Sequence, residues 1–177
     1  MGTEGEKKQM RLIVCDTGPI LHLIEAKLLY LLNQLGKVYI PKMVDTEIDE
    51  LVPLWNKRKP EWLQVVSLYP NEVKQAESLY LAGLLGLGEA EAIILAKRIK
   101  AKWFLTDDTE ARIFANLLGL EVHGSLGIVL KSAAIGLLNY NEARNALKRL
   151  SKTSLWISEK ILLEAYEAIE MMFNKKL

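Results

Sequence analysis

The chain has 177 residues, of which 50% are hydrophobic and 25% are charged, and its formal net charge is +1. This length and composition predict one globular domain with a sizeable core rather than two domains. A nearly balanced total charge gives no argument for nucleic-acid or membrane binding by the chain as a whole, and the single cysteine, Cys15, excludes an internal disulfide.

The opening stretch "MGTEGEKKQM" is polar and lacks the apolar segment of a secretory signal. Apolar runs such as "LLYLL" are far shorter than the ~18 residues that a membrane span needs. One cysteine also fits a reducing compartment. We therefore expect a soluble, cytoplasmic protein whose residues 1–10 form a flexible tail.

The first predicted strand is the β-branched run "RLIVC" at residues 11–15. It ends at "DTGP", where Pro19 suits the first turn of a helix and either Asp16 or Thr17 suits the cap. "PILHLIEAKLLYLLNQLG" predicts one or two helices that end at Gly36. "KVYIP" predicts a second strand, "KMVDTEIDELVPL" a helix, "WNKRKPE" a charged loop and "WLQVVSLYP" a third strand.

In the second half, helices are predicted at about 71–84 and 88–100, on either side of the glycine-rich "GLLGLG". "AKWFLTDD" predicts a fourth strand, "TEARIFANLLG" a helix, and "LEVHG" a short fifth strand. From residue 125 onward the pattern is helical. Alternating strands and helices predict a three-layer α/β/α sandwich with a central parallel sheet over 11–138, and a helical C-terminal extension over 139–177.

Acidic residues follow two of the predicted strands. Asp16 comes after the first strand, and Asp107 and Asp108 come after the fourth. Ligands of open parallel sheets bind beyond the carboxyl ends of the strands, so these positions favour a site. Aspartate is also a common helix cap, and Asp107 with Glu110 forms a capping-box pattern.

Two glutamates fall on predicted helix faces that point inward. Val44, Ile48 and Leu51 form the apolar stripe of one helix, and Glu47 falls inside this stripe, whereas Asp45 falls outside it and is predicted to lie at the surface. A buried carboxylate must be paired, protonated or bound to a cation, although a place at the edge of the core would leave Glu47 exposed.

In "GLGEAEAIILAKRIK", Glu91 shares its helix side with Ile94 and Leu95, and is therefore predicted to be buried. Glu89 points elsewhere and is assigned a structural role in the first helical turn, where negative charge is favoured. The same dipole effect is the alternative explanation for Glu91.

Taken together, these carboxylates predict a cation site, because converging acids without a cation would raise one another's pKa. Oxygen ligands without a His/Cys cluster favour Mg²⁺ or Mn²⁺ over zinc. His22 is predicted at a helix surface or core edge, His123 at a strand end, and neither has the spacing of a metal ligand. The candidate ligands are Asp16, Glu47, Glu91, Asp107 and Asp108.

The motifs "VCDTGPILHL", "IPKMVDTEIDEL", "GEAEAIILA" and "FLTDDTEARIFANLLGLEVHGSLG" together resemble the PIN-domain family. "LWISEKILLEAYEA" resembles the closing helix of a prokaryotic branch with extra C-terminal helices, so the resemblance covers roughly residues 11–170. It implies a Rossmann-like sandwich and a Mg²⁺- or Mn²⁺-dependent ribonuclease with three or four acids. The chain departs from the family pattern in its third acid, a glutamate, and in its doubled aspartate.

By position, the resemblance implies that Asp16 and Glu47 are the first two acids and Glu91 the third. Asp108 would be the fourth acid and Asp107 would cap the following helix, although the two aspartates could exchange these roles. Thr17 would help to bind the first acid or the substrate. Arg112, one turn into the following helix, is a candidate for holding the RNA backbone, with a surface role as the alternative.

The predicted function is hydrolysis of RNA, with single-stranded RNA as substrate, by the toxin of a toxin–antitoxin pair or by an RNA-processing nuclease. The alternative is a catalytically silent binding module that acts through a partner such as an antitoxin. The C-terminal helices would either cover a homodimer interface or complete a monomer's core. A haloacid-dehalogenase-type phosphatase is disfavoured, because Gly18 stands where the second acid of its Asp-x-Asp motif would be.

Overall fold

A central sheet of five parallel strands organises the fold. The structure, a computed structural model, describes residues 11–174, so the predicted tail lies outside the described residues. The strands run in the order β3-β2-β1-β4-β5, and every neighbouring pair is parallel. They are β1 (Leu12–Cys15), β2 (Lys37–Pro41), β3 (Leu63–Val66), β4 (Trp103–Leu105) and β5 (Val122–His123).

Helices flank this sheet and confirm the predicted α/β/α architecture with C-terminal helices. The helix α6 packs against β1, β2 and β4, whereas α2 contacts β2 and α8 contacts β5. No helix within residues 11–174 has the length and apolar character to cross a membrane. The helices are α1 (Thr17–Glu25), α2 (Tyr30–Leu35), α3 (Lys42–Leu51), α4 (Trp55–Arg58), α5 (Pro70–Leu81), α6 (Leu87–Arg98), α7 (Thr109–Leu117), α8 (Ser125–Ala134), α9 (Tyr140–Leu150) and α10 (Glu159–Asn174).

The strand order creates a switch point beside β1. From β1 the chain adds β2 and β3 on one side, and then crosses over to add β4 and β5 on the other. The register pairs Cys15 with Leu105, and the Asp16 N–H donates to the Leu105 carbonyl at 3.0 Å. Asp16 and Thr106 therefore leave the sheet side by side, at the place where open α/β sheets bind ligands.

Three predictions about the region after β2 are wrong. The predicted charged loop contains α4, in which Trp55 is buried. Asp45 is buried rather than at the surface, and Leu51 is 56% exposed rather than in the core. The reason is that Trp55 covers the side of α3 that carries Asp45, and its Nε1–H donates to Asp45 Oδ1 at 2.8 Å. The Lys59 ammonium lies 2.8 Å from the same oxygen.

The C-terminal helices share the core of the sheet domain. Buried residues of α9 and α10, among them Leu147, Leu150 and Ile169, belong to one hydrophobic cluster with Ile13 and Phe104 of the strands. Asn139 and Glu142 form a capping box that starts α9. These helices therefore hold the loop between them, residues 151–158, at a defined place on the domain.

Candidate active site

Asp16 follows β1 directly and is buried at the start of α1. Although it occupies the N-cap position, its carboxylate makes no capping hydrogen bond. Its Oδ1 is buried and has no hydrogen-bond partner within residues 11–174. Burial raises the pKa of Asp16 well above its usual value. Hydrogen bonding of its carboxyl group to Thr106 and to the Gly18 backbone lowers the pKa only in part, and the nearby Asp107 and Glu89 carboxylates raise it further. This oxygen is therefore a buried acceptor that no group among residues 11–174 satisfies.

The structure gives the capping role to Asp108 rather than to Asp107. Asp108 caps α7, since its Oδ1 accepts from the Ala111 N–H at 2.8 Å. Asp107 accepts from the Ser125 N–H at 2.7 Å and from the Ser125 hydroxyl at 2.5 Å. Its other close partner is His22 Nδ1, at 2.7 Å from Oδ2. The chain therefore holds Asp107 in one orientation and uses Asp108 to start a helix.

These contacts also determine the charge of Asp107. Burial raises its pKa, but hydrogen bonds from His22 and Ser125 outweigh burial and hold the pKa below its usual value. Asp107 thus remains ionised beside Asp16, whose pKa moves in the opposite direction. Two carboxyl groups with opposite shifts at one pocket are typical of a functional site.

Gly124 makes the approach of Ser125 to Asp107 possible. A Cβ at Gly124 would lie 2.7 Å from Asp107 Oδ1 and 3.3 Å from the Thr106 carbonyl oxygen. The start of α8 can therefore lie against the end of β4 only without a side chain at this position.

Glu47 reaches the same pocket from α3. The Thr17 hydroxyl donates a hydrogen bond to Glu47 Oε2, so the first turn of α1 orients the carboxylate. Gly88 leaves room for it, because a Cβ there would lie 2.5 Å from the same Oε2. Glu47 is half-buried rather than enclosed in the core.

The structure directs Glu89, not Glu91, into the pocket. Glu89 lines the pocket and accepts a hydrogen bond from the Gly86 N–H at 2.8 Å. Its pKa is raised, chiefly by burial and to a lesser extent by the negative charges of Asp108 and Glu47. Glu91 is buried away from the lining, beside the Met43 N–H. The predicted structural role of Glu89 in the first turn agrees with this capping contact, and the structure adds that its carboxylate also lines the pocket.

The acids line a cavity of about 430 Å³ at the switch point. We call this cavity the acid pocket. The C-terminal extension also contributes to it, since the rim includes residues of the loop between α9 and α10. The lining residues are Asp16, Thr17, Gly18, His22, Glu47, Gly86, Gly88, Glu89, Asp107, Asp108, Ser154, Leu155 and Trp156.

Two further residues considered in the sequence analysis, Arg112 and Cys15, do not line the acid pocket. The Arg112 guanidinium donates to the Thr106 carbonyl at 3.1 Å and is not part of the lining. Cys15 is buried, and burial raises the pKa of its thiol well above the usual value. A buried, protonated thiol is a poor nucleophile, which agrees with the sequence-based interpretation of Cys15.

Sequence reasoning missed His22, Ser125 and the rim residues Ser154–Trp156. His22 offered a weak signal, because it lies one helical turn after Gly18 and thus on the same face of α1 as a residue beside Asp16. Ser125 follows a glycine at the start of a predicted helix. The rim residues carried no signal at all, since their position depends on how α9 and α10 pack.

The donors fit a divalent cation. Carboxylate oxygens are the preferred ligands of Mg²⁺ and Mn²⁺, and a cation beside the buried Asp16 oxygen would offset the cost of burying the ionised carboxylate. Within residues 11–174, no three Asp, Glu, His or Cys side chains already stand in the arrangement of a formed metal site. Binding would therefore require the acid side chains to close around the ion.

The sequence model of the PIN-domain family matches residues 12–171. The chain belongs to the PIN-domain family. This PIN domain thus has a nuclease-type fold, and its family usually uses divalent metals. No curated protein is significantly similar to it in sequence.

Proposed function

We propose that this PIN domain is a Mg²⁺- or Mn²⁺-dependent ribonuclease that hydrolyses phosphodiester bonds of single-stranded RNA. The observation that carries the proposal is the buried Asp16 Oδ1, which has no partner among the described residues and lies in a pocket lined by four further carboxylates. The family match supports a hydrolase of the nuclease type.

Five acids would hold the cation or its water ligands. Asp16 and Asp107 come from neighbouring strand ends, and Glu47 and Glu89 come from α3 and α6. Asp108 contributes from the α7 cap. A bound Mg²⁺ or Mn²⁺ would lower the pKa of a water molecule and balance charge on the phosphate.

The other pocket residues would position these acids and the substrate. His22 and Ser125 orient Asp107 through hydrogen bonds, and Thr17 orients Glu47. Arg112 supports the end of β4 in this proposal rather than holding RNA.

The test is cleavage of a quenched-fluorophore single-stranded RNA with Mn²⁺, Mg²⁺ or EDTA. We expect metal-dependent cleavage that Asp16→Asn abolishes. The matched control is Asp49→Asn, which removes an exposed carboxylate of α3 outside the pocket and should retain activity. Full activity of Asp16→Asn would reject the proposed site.

A second candidate function is a catalytically silent module that binds a partner through the acid pocket. A basic side chain from an antitoxin, like a cation, would satisfy the buried Asp16 oxygen and the other acids of the pocket. Mn²⁺ that raises the thermal midpoint of the wild type but not of Asp16→Asn, without any RNA cleavage, would support this candidate.

The cellular role is a further part of the proposal. A ribonuclease of this kind would act either as the toxin of a toxin–antitoxin pair or in RNA processing. A short open reading frame immediately upstream of the gene, whose product blocks cleavage when it is added to the assay, would favour the toxin role. Cleavage that this product leaves unchanged would favour RNA processing.

A further inference from the structure

Trp156 is an exposed aromatic residue at the rim of the acid pocket. Its side chain is 82% exposed, although the loop that carries it is attached to the domain. The Ser154 N–H donates to Glu25 Oε2 at 2.7 Å, the Ser154 hydroxyl bonds both oxygens of Glu25, and Leu155 packs against the core. The indole is therefore held at the pocket mouth while its ring remains in solvent.

A second cavity, of about 540 Å³, lies beside this loop and is rich in cations. Lys148, Arg149 and Lys152 line it, and none of them forms an ion pair within the described part of the chain, residues 11–174. Its one acid, Glu142, already accepts from the Asn139 N–H. We call this cavity the basic cavity.

The two cavities are joined by a short piece of chain. Lys152 lines the basic cavity and Ser154–Trp156 lines the acid pocket. Four residues of extended chain span at most about 14 Å, so the Lys152 and Trp156 backbones are at most a few nucleotides apart along a strand. This separation is within the reach of a single strand whose scissile phosphate lies among the acids of the acid pocket.

We infer that single-stranded RNA runs from the acid pocket across Trp156 into the basic cavity, with one base stacked on the indole and its phosphates held by Lys148, Arg149 and Lys152. This inference rests on the proposed ribonuclease function and adds the binding surface to it. Cations combined with an exposed aromatic ring are the features by which proteins bind single strands. An acidic peptide would use the cations but would not need the indole beside the acid pocket.

The test measures binding of a fluorescent single-stranded oligoribonucleotide to the full chain by anisotropy in EDTA, where no cleavage is expected. Trp156→Ala should weaken binding about 5- to 150-fold, because one stacked base is lost, and Trp156→Phe should restore much of it. The control Tyr80→Ala removes an exposed aromatic side chain from α5 and should have no effect.

The triple variant Lys148→Ala/Arg149→Ala/Lys152→Ala tests the cations. It should reduce the steepness of log affinity against log salt by about 2, since each phosphate contact on a single strand contributes about 0.7. The control triple Lys57→Ala/Arg58→Ala/Lys74→Ala removes the same charge at exposed positions outside both cavities. It should leave the slope close to that of the wild type.

The outcomes separate this inference from the proposed function. RNA binding that depends on Trp156 and the three cations, without cleavage in any metal, supports the binding surface and rejects the nuclease. Cleavage with unchanged binding in the variants supports the nuclease and overturns the binding surface. The absence of RNA binding also overturns it. So does a triple variant that still binds RNA but no longer binds polyglutamate, the probe for an acidic peptide.

Discussion

At the scale of single residues, the acid pocket places several carboxyl groups close together without a positive charge that would stabilise them. Burial without a partner disfavours the ionised form of Asp16, whereas Asp107 is kept ionised by His22 and Ser125. Such an arrangement lowers stability unless a cation binds. The pocket therefore has the physical character of a site that is selected for binding rather than for stability.

Gly88 should separate activity from stability. In Gly88→Ala the new methyl group would lie 2.5 Å from Glu47 Oε2, so the flexible carboxylate must move away from the pocket. Alanine in a helix is favoured by up to about 1 kcal/mol over glycine. We expect an unchanged or raised thermal midpoint together with a loss of RNA cleavage.

The control for this change is Gly127→Ala in the first turn of α8, where the nearest atom to the new Cβ is His123 Cβ at 3.8 Å. It should give a similar thermal midpoint and retain cleavage. Equal activity of Gly88→Ala and Gly127→Ala would contradict the proposed role of Glu47.

Asp45 should make the free energy of unfolding depend on pH. Burial raises the pKa of Asp45, but hydrogen bonds from Lys59, Trp55 and Lys42 outweigh burial and lower it. A lowered folded-state pKa adds stability above the unfolded value of about 3.9, and this stability is lost as the pH falls through the folded value.

The variant Asp45→Asn should therefore be less stable than the wild type by about 1.5–3 kcal/mol at pH 7, because hydrogen bonds to a charged group are lost. The difference should decrease as the pH falls below about 4. Urea unfolding of both proteins between pH 3 and 7 measures it. A difference that is the same at every pH would show that the charge of Asp45 is not the cause.

At the scale of elements, the strand order brings distant segments to one edge. The crossover from β3 to β4 puts the end of β4 next to the end of β1, so Asp16 and Asp107 meet although 90 residues separate them in sequence. The helices α3 and α6 contact each other beside this edge and bring Glu47 and Glu89 to the same cavity.

The attachment of the α9–α10 loop to α1 can be tested at Glu25. Its carboxylate accepts three hydrogen bonds from Ser154, while its own position on α1 is exposed. Glu25→Ala should therefore increase amide hydrogen exchange in residues 151–157 without a comparable change in the strands. The control is Glu50→Ala, which removes an exposed glutamate of α3 outside both cavities. Unchanged exchange in 151–157 would show that core packing of Leu155 alone holds the loop.

At the scale of the whole molecule, the C-terminal helices and the sheet share one hydrophobic cluster. We therefore expect the full chain to unfold in one cooperative transition, with equal calorimetric and van't Hoff enthalpies. A chain that ends at residue 138 would lose the partners of α8 and should not fold cooperatively. A stable, folded 11–138 fragment would show instead that the extension is a separate unit.

The general fold could be predicted from sequence because each strand is a short apolar run and each helix has an apolar face. "RLIVC" and "KVYIP" became β1 and β2, and the helical pattern from residue 125 onward became α8, α9 and α10. The short helix α4 was not predicted, since four residues are too few to show a periodic pattern. Its packing in turn buried Asp45, which the pattern of α3 alone placed at the surface.

The site was predicted less completely, and α6 shows why. Glu89 and Glu91 are two residues apart and thus point about 200° apart around the helix. Most of α6 is buried, so its pattern does not show which side faces the pocket. Similarly, the sequence allows either Asp107 or Asp108 to cap α7. Only the tertiary contacts distinguish them, since Asp108 accepts from the Ala111 N–H at the start of α7 whereas Asp107 accepts from Ser125 of α8.

The amino-acid sequence by itself determined the α/β architecture, the PIN-domain motifs and the placement of acids after β1 and β4, because these depend on local patterns and on the chain order. The tertiary structure alone decided that Glu89 rather than Glu91 enters the pocket, that His22 and Ser125 hold Asp107, and that Trp156 lies at the rim. The residues that line the acid pocket come from segments up to 140 residues apart, from Asp16 to Trp156. Such an arrangement depends on how helices pack around the sheet rather than on any periodicity within one segment.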